Sequence, residues 1–485
     1  MRTASISRIS TVLAILFGVA APATAGEGPL RAGAAVVDVT PFLDDPIVGN
    51  FVTPPASYVH DPLHARALVL DDGATRLAFV VVDSVGVTRD VFDAARAMAS
   101  EKTGIPPGNI LAAATHTHSG TSGRAADPFE GGAPRTEYQK FLAHRVADAV
   151  RLAAGNLEPA EVGWGSVQAP EHLFNRRWLL KPGETALSPL GDVDHAQMNP
   201  GRNPRIDKPA GTTDPQLSFL AARAADGRPI ALLANYGLHY IGGVPTGHVS
   251  ADYFAVFARK IGERLGADPL HDPPFVGIMS NGTSGDVNNI DVASINKPDH
   301  KPKHYAPYEK MAEVADDLAG RVAEAYKGVA FHSKLKLGAA SRELALKRRR
   351  PTPEQIAHAR EVLAKPEDAP RKHGLERNFA HRVLAIENVS EDVSIMLQAF
   401  RIGDLGVAAV PFEMFAEAGL DIKARSPLQP TFVMELANGS YGYLPTPRHF
   451  DVGGYETWLT VNRVEPLASD KIVATLLELL AEVKD

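Results

Sequence analysis

Six short, almost wholly apolar runs constrain this chain most: 77–82, 110–114, 230–234, 275–279, 405–410 and 432–436. Apolar runs of this length, without alternation, fit strands buried on both faces. Only the last is interrupted by a charge, at Glu435. Between the runs, Tyr138, Phe141, Leu142, Val146, Ala149, Val150 and Ala153 recur at helical spacing, as do Met311, Val314, Leu318, Val322 and Ala325. The pattern predicts an α/β fold of mixed β-sheets with flanking helices, closed by a helix over 469–483. Two polar stretches, 168–213 and 291–308, read as long loops, and the first is expected to cover or line a pocket.

Each run ends in unusual polar residues. Run 77–82 meets Asp83, and 110–114 meets Thr115-His116-Thr117-His118. Run 230–234 leads to His239, 275–279 to a segment ending in Asp286, 405–410 to Glu413, and 432–436 to Tyr441 and Tyr443. Ligands of α/β sheets bind beyond the carboxyl ends of the strands. Six strands delivering His, Glu, Asp and Tyr to one rim predict a convergent site.

Composition narrows the chemistry. The 485 residues include no cysteine, which excludes disulfides, thiolate ligands and a cysteine nucleophile. A tightly held metal would therefore rest on His, Asp, Glu or Tyr. The net charge of −7 gives no support for nucleic acid as a partner. The one basic cluster, Lys347-Arg348-Arg349-Arg350, reads as a solvated turn. At the N-terminus, Arg2 and Arg8 flank the apolar run 12–21, and Ala23-Thr24-Ala25 forms a small-residue cleavage site. Residues 1–25 thus read as a signal peptide, with export to a periplasm or the extracellular space. The apolar run is shorter than the ~20 residues of a membrane span, and no transmembrane segment is expected.

His116 and His118 are two residues apart, so in an extended segment both project to one face. They could share a metal, or one could bind it while the other moves protons. Taken singly, His239 reads as a satisfied structural histidine, and Tyr443 and Tyr455 as packing aromatics. Glu413, after a buried strand, needs a partner.

A resemblance joins these residues. The run Ala32-Gly33-Ala34-Ala35-Val36-Val37-Asp38-Val39-Thr40-Pro41 resembles the opening of the neutral, non-lysosomal ceramidase family. So do Thr115-His116-Thr117-His118-Ser119-Gly120, Asn281 with Gly285-Asp286-Val287-Asn288, Val410-Pro411-Phe412-Glu413, and Tyr443 followed by Tyr455. The motifs occur in the family's order, and the resemblance spans residues 32–485, making 26–485 one expected hydrolase domain. It implies one zinc ion held by His116, His239, Glu413 and Tyr443, with His118 and Tyr455 facing the scissile carbonyl and Arg176 positioning substrate. Tyr441, two residues from Tyr443, shares its strand-end face. Such a metal lowers the pKa of a water towards ~7 for attack on an amide or ester. Asp83, Asp252 and Asp286 are candidates to support the ligands or to hold a second divalent cation.

Two departures bear on the substrate. Where the family has Gly-Asp-Val-Ser-Pro-Asn, this chain reads Gly285-Asp286-Val287-Asn288-Asn289-Ile290. A serine nucleophile is excluded there, and Asn288 is left as a hydrogen-bonding group for substrate. The β-rich domain that follows the family's catalytic part is expected to be missing. The polar loop 168–213, with Arg176, Arg177 and Lys181, favours a carboxylate or several hydroxyls over a lipid chain. The expected partner is a small-molecule, lipid-like or glycan substrate, other or broader than ceramide. Two other readings stand beside zinc hydrolysis: a metal-assisted polysaccharide lyase using a Tyr/His pair, and a non-catalytic binding homologue. The presence of all four ligand candidates weighs against the last.

Overall fold

The computed structural model describes residues 29–50, 52–124, 129 and 134–485. The signal peptide expected over 1–25 lies outside them. All six apolar runs are strands, and they form three parallel pairs. Arg76–Val82 pairs with Ile110–Ala114, Pro229–Tyr236 with Val276–Asn281, and Leu405–Ala409 with Thr431–Met434. Each pair stands at a sheet edge.

Antiparallel strands fill the space between the first two pairs. The eight-stranded sheet runs Val276–Asn281, Pro229–Tyr236, Gln216–Ala224, Glu158–Gln168, Arg31–Asp38, His64–Asp71, Arg76–Val82, Ile110–Ala114. A four-stranded sheet runs Leu337–Lys347, Asp392–Ile402, Leu405–Ala409, Thr431–Met434. The two sheets stack face to face, with Leu68, Phe79 and Leu111 buried against Phe400, Val407 and Phe432. Helices Arg89–Thr103 and Glu137–Gly155 cover one half of the large sheet's other face. Asp252–Arg264 and Glu309–Tyr326 cover the other half. Ala416–Arg425 and Ala468–Lys484 cover the small sheet. The predicted helices fall where the 3.6-residue spacing placed them.

The carboxyl ends of the three parallel pairs meet. Ala113 bridges Ala437, and the Asn438 amide donates to the Ala112 carbonyl at 2.7 Å. The Ala437 amide donates to Val410 at 3.0 Å, and the Glu435 amide to Asn281 at 3.1 Å. Leu436 and Asn438 adopt left-handed backbone, φ 51° and 66°, to turn the chain across these ends.

Two expectations are corrected. The stretch 168–213 is not one irregular loop: Arg177–Leu180 is the middle strand of a small sheet, between Ala196–Met198 and Ile206–Pro209. The basic cluster is solvated only in part: Lys347 and Arg350 are exposed, Arg348 and Arg349 are not. Arg348 is buried, and Arg349 donates to the Thr457 carbonyl at 2.6 Å and to Asn462 Oδ1 at 3.0 Å.

The C-terminal stretch is also clamped by Glu417, which accepts from Thr446 and Arg448 and lies 3.3 Å from His449 Nε2. Burial pushes this carboxyl up, but His449, Arg448 and Thr446 outweigh it and draw its pKa from 4.5 down to about 2. The folded-state value lies below the unfolded one. The stabilisation is therefore complete above about pH 4.5 and is lost as pH falls towards 2. Glu417→Gln is expected to cost about 2–3 kcal/mol at pH 7. In thermal melts against pH, its deficit relative to wild type should shrink below pH 4.5.

Candidate metal centre

The Ile110–Ala114 strand ends two residues before the first histidine. Thr115 and His116 amides donate to the Val82 and Ser84 carbonyls, each at 2.9 Å. His116 then takes left-handed backbone, φ 74°, a conformation that costs an L-residue about 1–3 kcal/mol and clusters at functional sites. The segment is therefore not extended, contrary to the expectation from spacing. The turn at His116 nonetheless brings both rings together, edge to face with centroids 4.7 Å apart.

Backbone carbonyls fix the histidine tautomers. His116 Nδ1 donates to the Val85 carbonyl at 2.7 Å, and His239 Nδ1 faces the Ser284 carbonyl at 3.1 Å. Each neutral ring is thereby left with a bare Nε2. Those two nitrogens stand 3.0 Å apart, and His118 Nε2 lies 3.1 Å from that of His116. Glu413 Oε2 lies 3.2 Å from His116 Nε2 and 3.6 Å from His239 Nε2, and it accepts no hydrogen bond. Acceptors held face to face repel unless a cation sits among them. Donors around a tetrahedral ion with bonds of about 2.0–2.1 Å are roughly 3.3 Å apart, so this set fits a zinc-sized ion. Among the described residues, His116, His118 and His239 are the one group of three or more side chains close enough to hold a metal.

The protonation states agree. Burial, then His116 and nearby arginines, hold His118 and His239 well below the usual histidine range. Burial opposes ionisation of Glu413, but His116, Tyr443 and Arg176 outweigh it and hold the carboxyl low. Neutral imidazoles and an ionised carboxylate are the forms a metal takes.

Tyr443 reaches this centre because it pairs directly with Glu413 in a short parallel bridge. The Arg176 guanidinium lies 5.0 Å from the Tyr443 ring, and Arg176 and Glu413 both bear on its hydroxyl. Tyr441 points elsewhere, packing on Phe412 and Phe129. Tyr455 packs edge-on to Tyr443 at 5.8 Å, and burial raises its hydroxyl pKa. Arg176 Nε donates to Glu456 at 2.8 Å, while its Nη1 lies 3.5 Å from His239 Nε2. Arg177 and Lys181, read as substrate contacts, are corrected: Arg177 is fully buried on Glu456 and the Gly453 carbonyl, and Lys181 donates to the Pro204 carbonyl.

The remaining candidates do not join the histidines. Asn288 donates to Asn199 Oδ1 at 2.6 Å and accepts from the Ile290 amide at 2.9 Å. Asp286 accepts from Asn175 at 2.7 Å and from the Ala416 amide at 2.9 Å, at the start of a helix. Asp83 accepts from Arg66 at 2.6 Å and from the His64 amide at 2.9 Å. Asp252 accepts from the Ile241, Gly242 and Tyr253 amides, which anchors the chain just past His239. None of these aspartates belongs to a metal-sized group among the described residues.

Four participants escaped the sequence reading. Ser284 Oγ stands 3.2 Å from His239 Nδ1 and donates at 2.6 Å to Glu435, which also takes the Ser284 and Met414 amides. Glu435, the one charge interrupting an apolar run, was the available signal. Tyr240 stacks on His118 at 3.8 Å, and Glu456 joins Arg176 to Arg177. Both adjoin residues already singled out.

Fold and site together define an α/β protein with a metal-competent histidine centre at its strand ends. No protein-family model matches the chain. Two solved structures share its fold. Neutral ceramidase from Pseudomonas aeruginosa superposes with a TM-score of 0.63 over 93% of this chain and 74% of that one, at 16% identity. A ceramidase complexed with C2 gives 0.64 over 93% and 75%, at 17% identity. The chain therefore has the neutral ceramidase fold, as its motifs implied.

The Glu456 hub is testable by stability. Glu456→Ala leaves two buried guanidinium groups without their carboxylate and should cost about 3–5 kcal/mol in chemical denaturation. A loss below about 1 kcal/mol would show that the arginines find other partners.

Proposed function

We propose that this chain is an exported zinc-dependent hydrolase of N-acyl amide or ester bonds, with residues 26–485 forming its catalytic unit. The observation that carries the reading is the convergence of two carbonyl-anchored histidines and Glu413 on one point. His116, His239, Glu413 and Tyr443 would hold the ion, with His118 Nε2 beside them at 3.1 Å from His116 Nε2. The bound ion supplies a Lewis acid that polarises a carbonyl and brings the pKa of water to about 7.

The chain's own residues do the rest. His118 is held neutral, so it first accepts the proton of the attacking water and then returns it to the leaving amine or alcohol. Tyr240, stacked on the ring, keeps His118 oriented towards His116. Tyr455 keeps its proton because burial raises its pKa, and so can donate to the developing oxyanion. Arg176 positions substrate from the floor of the site. Asn288 is a positioning group: its amide is already engaged with Asn199, whose own amide donates to the Arg176 carbonyl. The absence of the family's serine leaves every one of these roles intact. Among the described residues no helix is long and apolar enough to cross a membrane.

Elemental analysis of the purified protein should find one zinc ion per chain, and His116→Ala and Glu413→Ala should each lose it together with activity on a panel of amides and esters. A zinc-free preparation whose activity neither replacement alters would sink the assignment. An ultraviolet-absorbing unsaturated product, in place of a released amine or acid, would point to the lyase. Asn288→Ala should lower kcat/KM by no more than ~10-fold, the worth of a neutral hydrogen bond. A loss of several orders of magnitude with zinc retained would show a direct part in the chemistry.

A further inference from the structure

Arg176 keeps one buried guanidinium nitrogen, Nη2, without any hydrogen-bond partner, although the side chain is only 5% exposed. Two more arginines near the same residues, Arg124 and Arg382, make no salt bridge among the described residues. Arg382 stands on the Glu376–Ala385 helix and rests over the Phe379 ring at 5.0 Å. Phe379 packs edge-on to Trp458, which packs edge-on to Tyr455. The charge of Arg382 bears on Tyr455 and on Arg124. Arg124 lies against Gly86, next to the Val85 carbonyl that anchors His116, and its charge reaches His118.

Arg176 and Arg177 share the single carboxylate of Glu456. Arg124 and Arg382 have no comparable partner among the described residues. Guanidinium groups only donate, and their planar fork matches a carboxylate better than a hydroxyl. A neutral lipid amide would leave this charge uncompensated beside Tyr455 and His118.

We propose that the substrate is an N-acyl compound with a free carboxylate beside the scissile amide, as in an N-acyl amino acid, recognised by Arg124, Arg176 and Arg382. The proposal rests on the hydrolase reading above. Water adds its oxygen to the acyl carbon, the C–N bond breaks, and the amine leaves with the proton carried by His118. The products are a carboxylic acid and an amino acid.

The test uses the zinc-loaded full chain with N-hexanoylglycine and its uncharged counterpart N-hexanoylglycinamide, measuring binding by calorimetry and hydrolysis by amine release. The acid should bind roughly tenfold or more tightly than the amide, the worth of a charge-assisted hydrogen bond. That ratio should collapse towards one in Arg382→Gln and in Arg124→Gln. Independently of any variant, raising ionic strength should weaken binding of the acid and not of the amide. Equal affinities in the wild type would overturn the proposal. So would a preference that survives both replacements, because the metal alone would then hold the carboxylate. A binding preference without hydrolysis of either compound would uphold the anion site and refute the hydrolase. Hydrolysis of both compounds with equal efficiency and equal affinity would do the reverse.

Discussion

Two backbone carbonyls, those of Val85 and Ser284, govern the centre of this protein. By accepting the Nδ1 protons of His116 and His239 they commit both rings to present bare nitrogens to the same small volume. Everything nearby is arranged around that commitment. The left-handed turn at His116 exists to bring its Nδ1 onto Val85, since a strand continued through His116 would leave that carbonyl behind. Ser284 is held from the rear by Glu435, whose carboxyl burial raises well above its usual range, and the same carboxyl takes the amide of Met414 beside Glu413. One buried group thus steadies a histidine and a glutamate that are far apart in sequence.

The three parallel pairs explain why such distant residues meet. A parallel pair delivers two carboxyl ends to the same level, and here the three pairs are tied end to end through Ala113, Ala437 and Asn438. This much was legible in the sequence, because strands buried on both faces leave unbroken apolar runs. The antiparallel strands were less legible. Glu158–Gln168 and Leu337–Lys347 bury only some of their residues, and the first contains Gly163 and Gly165. Gly163 is needed there, because a Cβ would stand 2.6 Å from the Ala330 carbonyl oxygen. Such strands carry too little apolar signal to be told from loops.

The candidate site divides in the same way. Residues at the ends of apolar runs, His116, His239, Glu413 and Tyr443, stood out because a polar group there needs a reason. Spacing could not separate Tyr441 from Tyr443; the pairing of Tyr443 with Glu413 does. Glu456 was invisible because its worth lies in two arginines 280 and 279 residues away. Arg382 was invisible because its helix, packed on Tyr443, Tyr455 and Trp458, belongs to a segment with no motif of its own.

The replacement of the family's serine by Asn288 can now be weighed by position. Asn288 lies on the far side of Arg176, joined to it through Asn199, and makes no hydrogen bond to the histidines among the described residues. A group so placed can shape where substrate lies but not how the bond breaks. The chemistry would then rest on His118, held neutral by burial first and by the charges of Arg124 and Arg176. A neutral imidazole beside an electrophilic metal is suited to take a proton before giving one. Arg124 and Arg176 depress His118, and Arg176 keeps one nitrogen without a partner, so an anionic substrate bound there would relieve the cost of the imidazolium formed during turnover. Substrate charge and proton transfer would in that way be coupled through the same guanidinium groups.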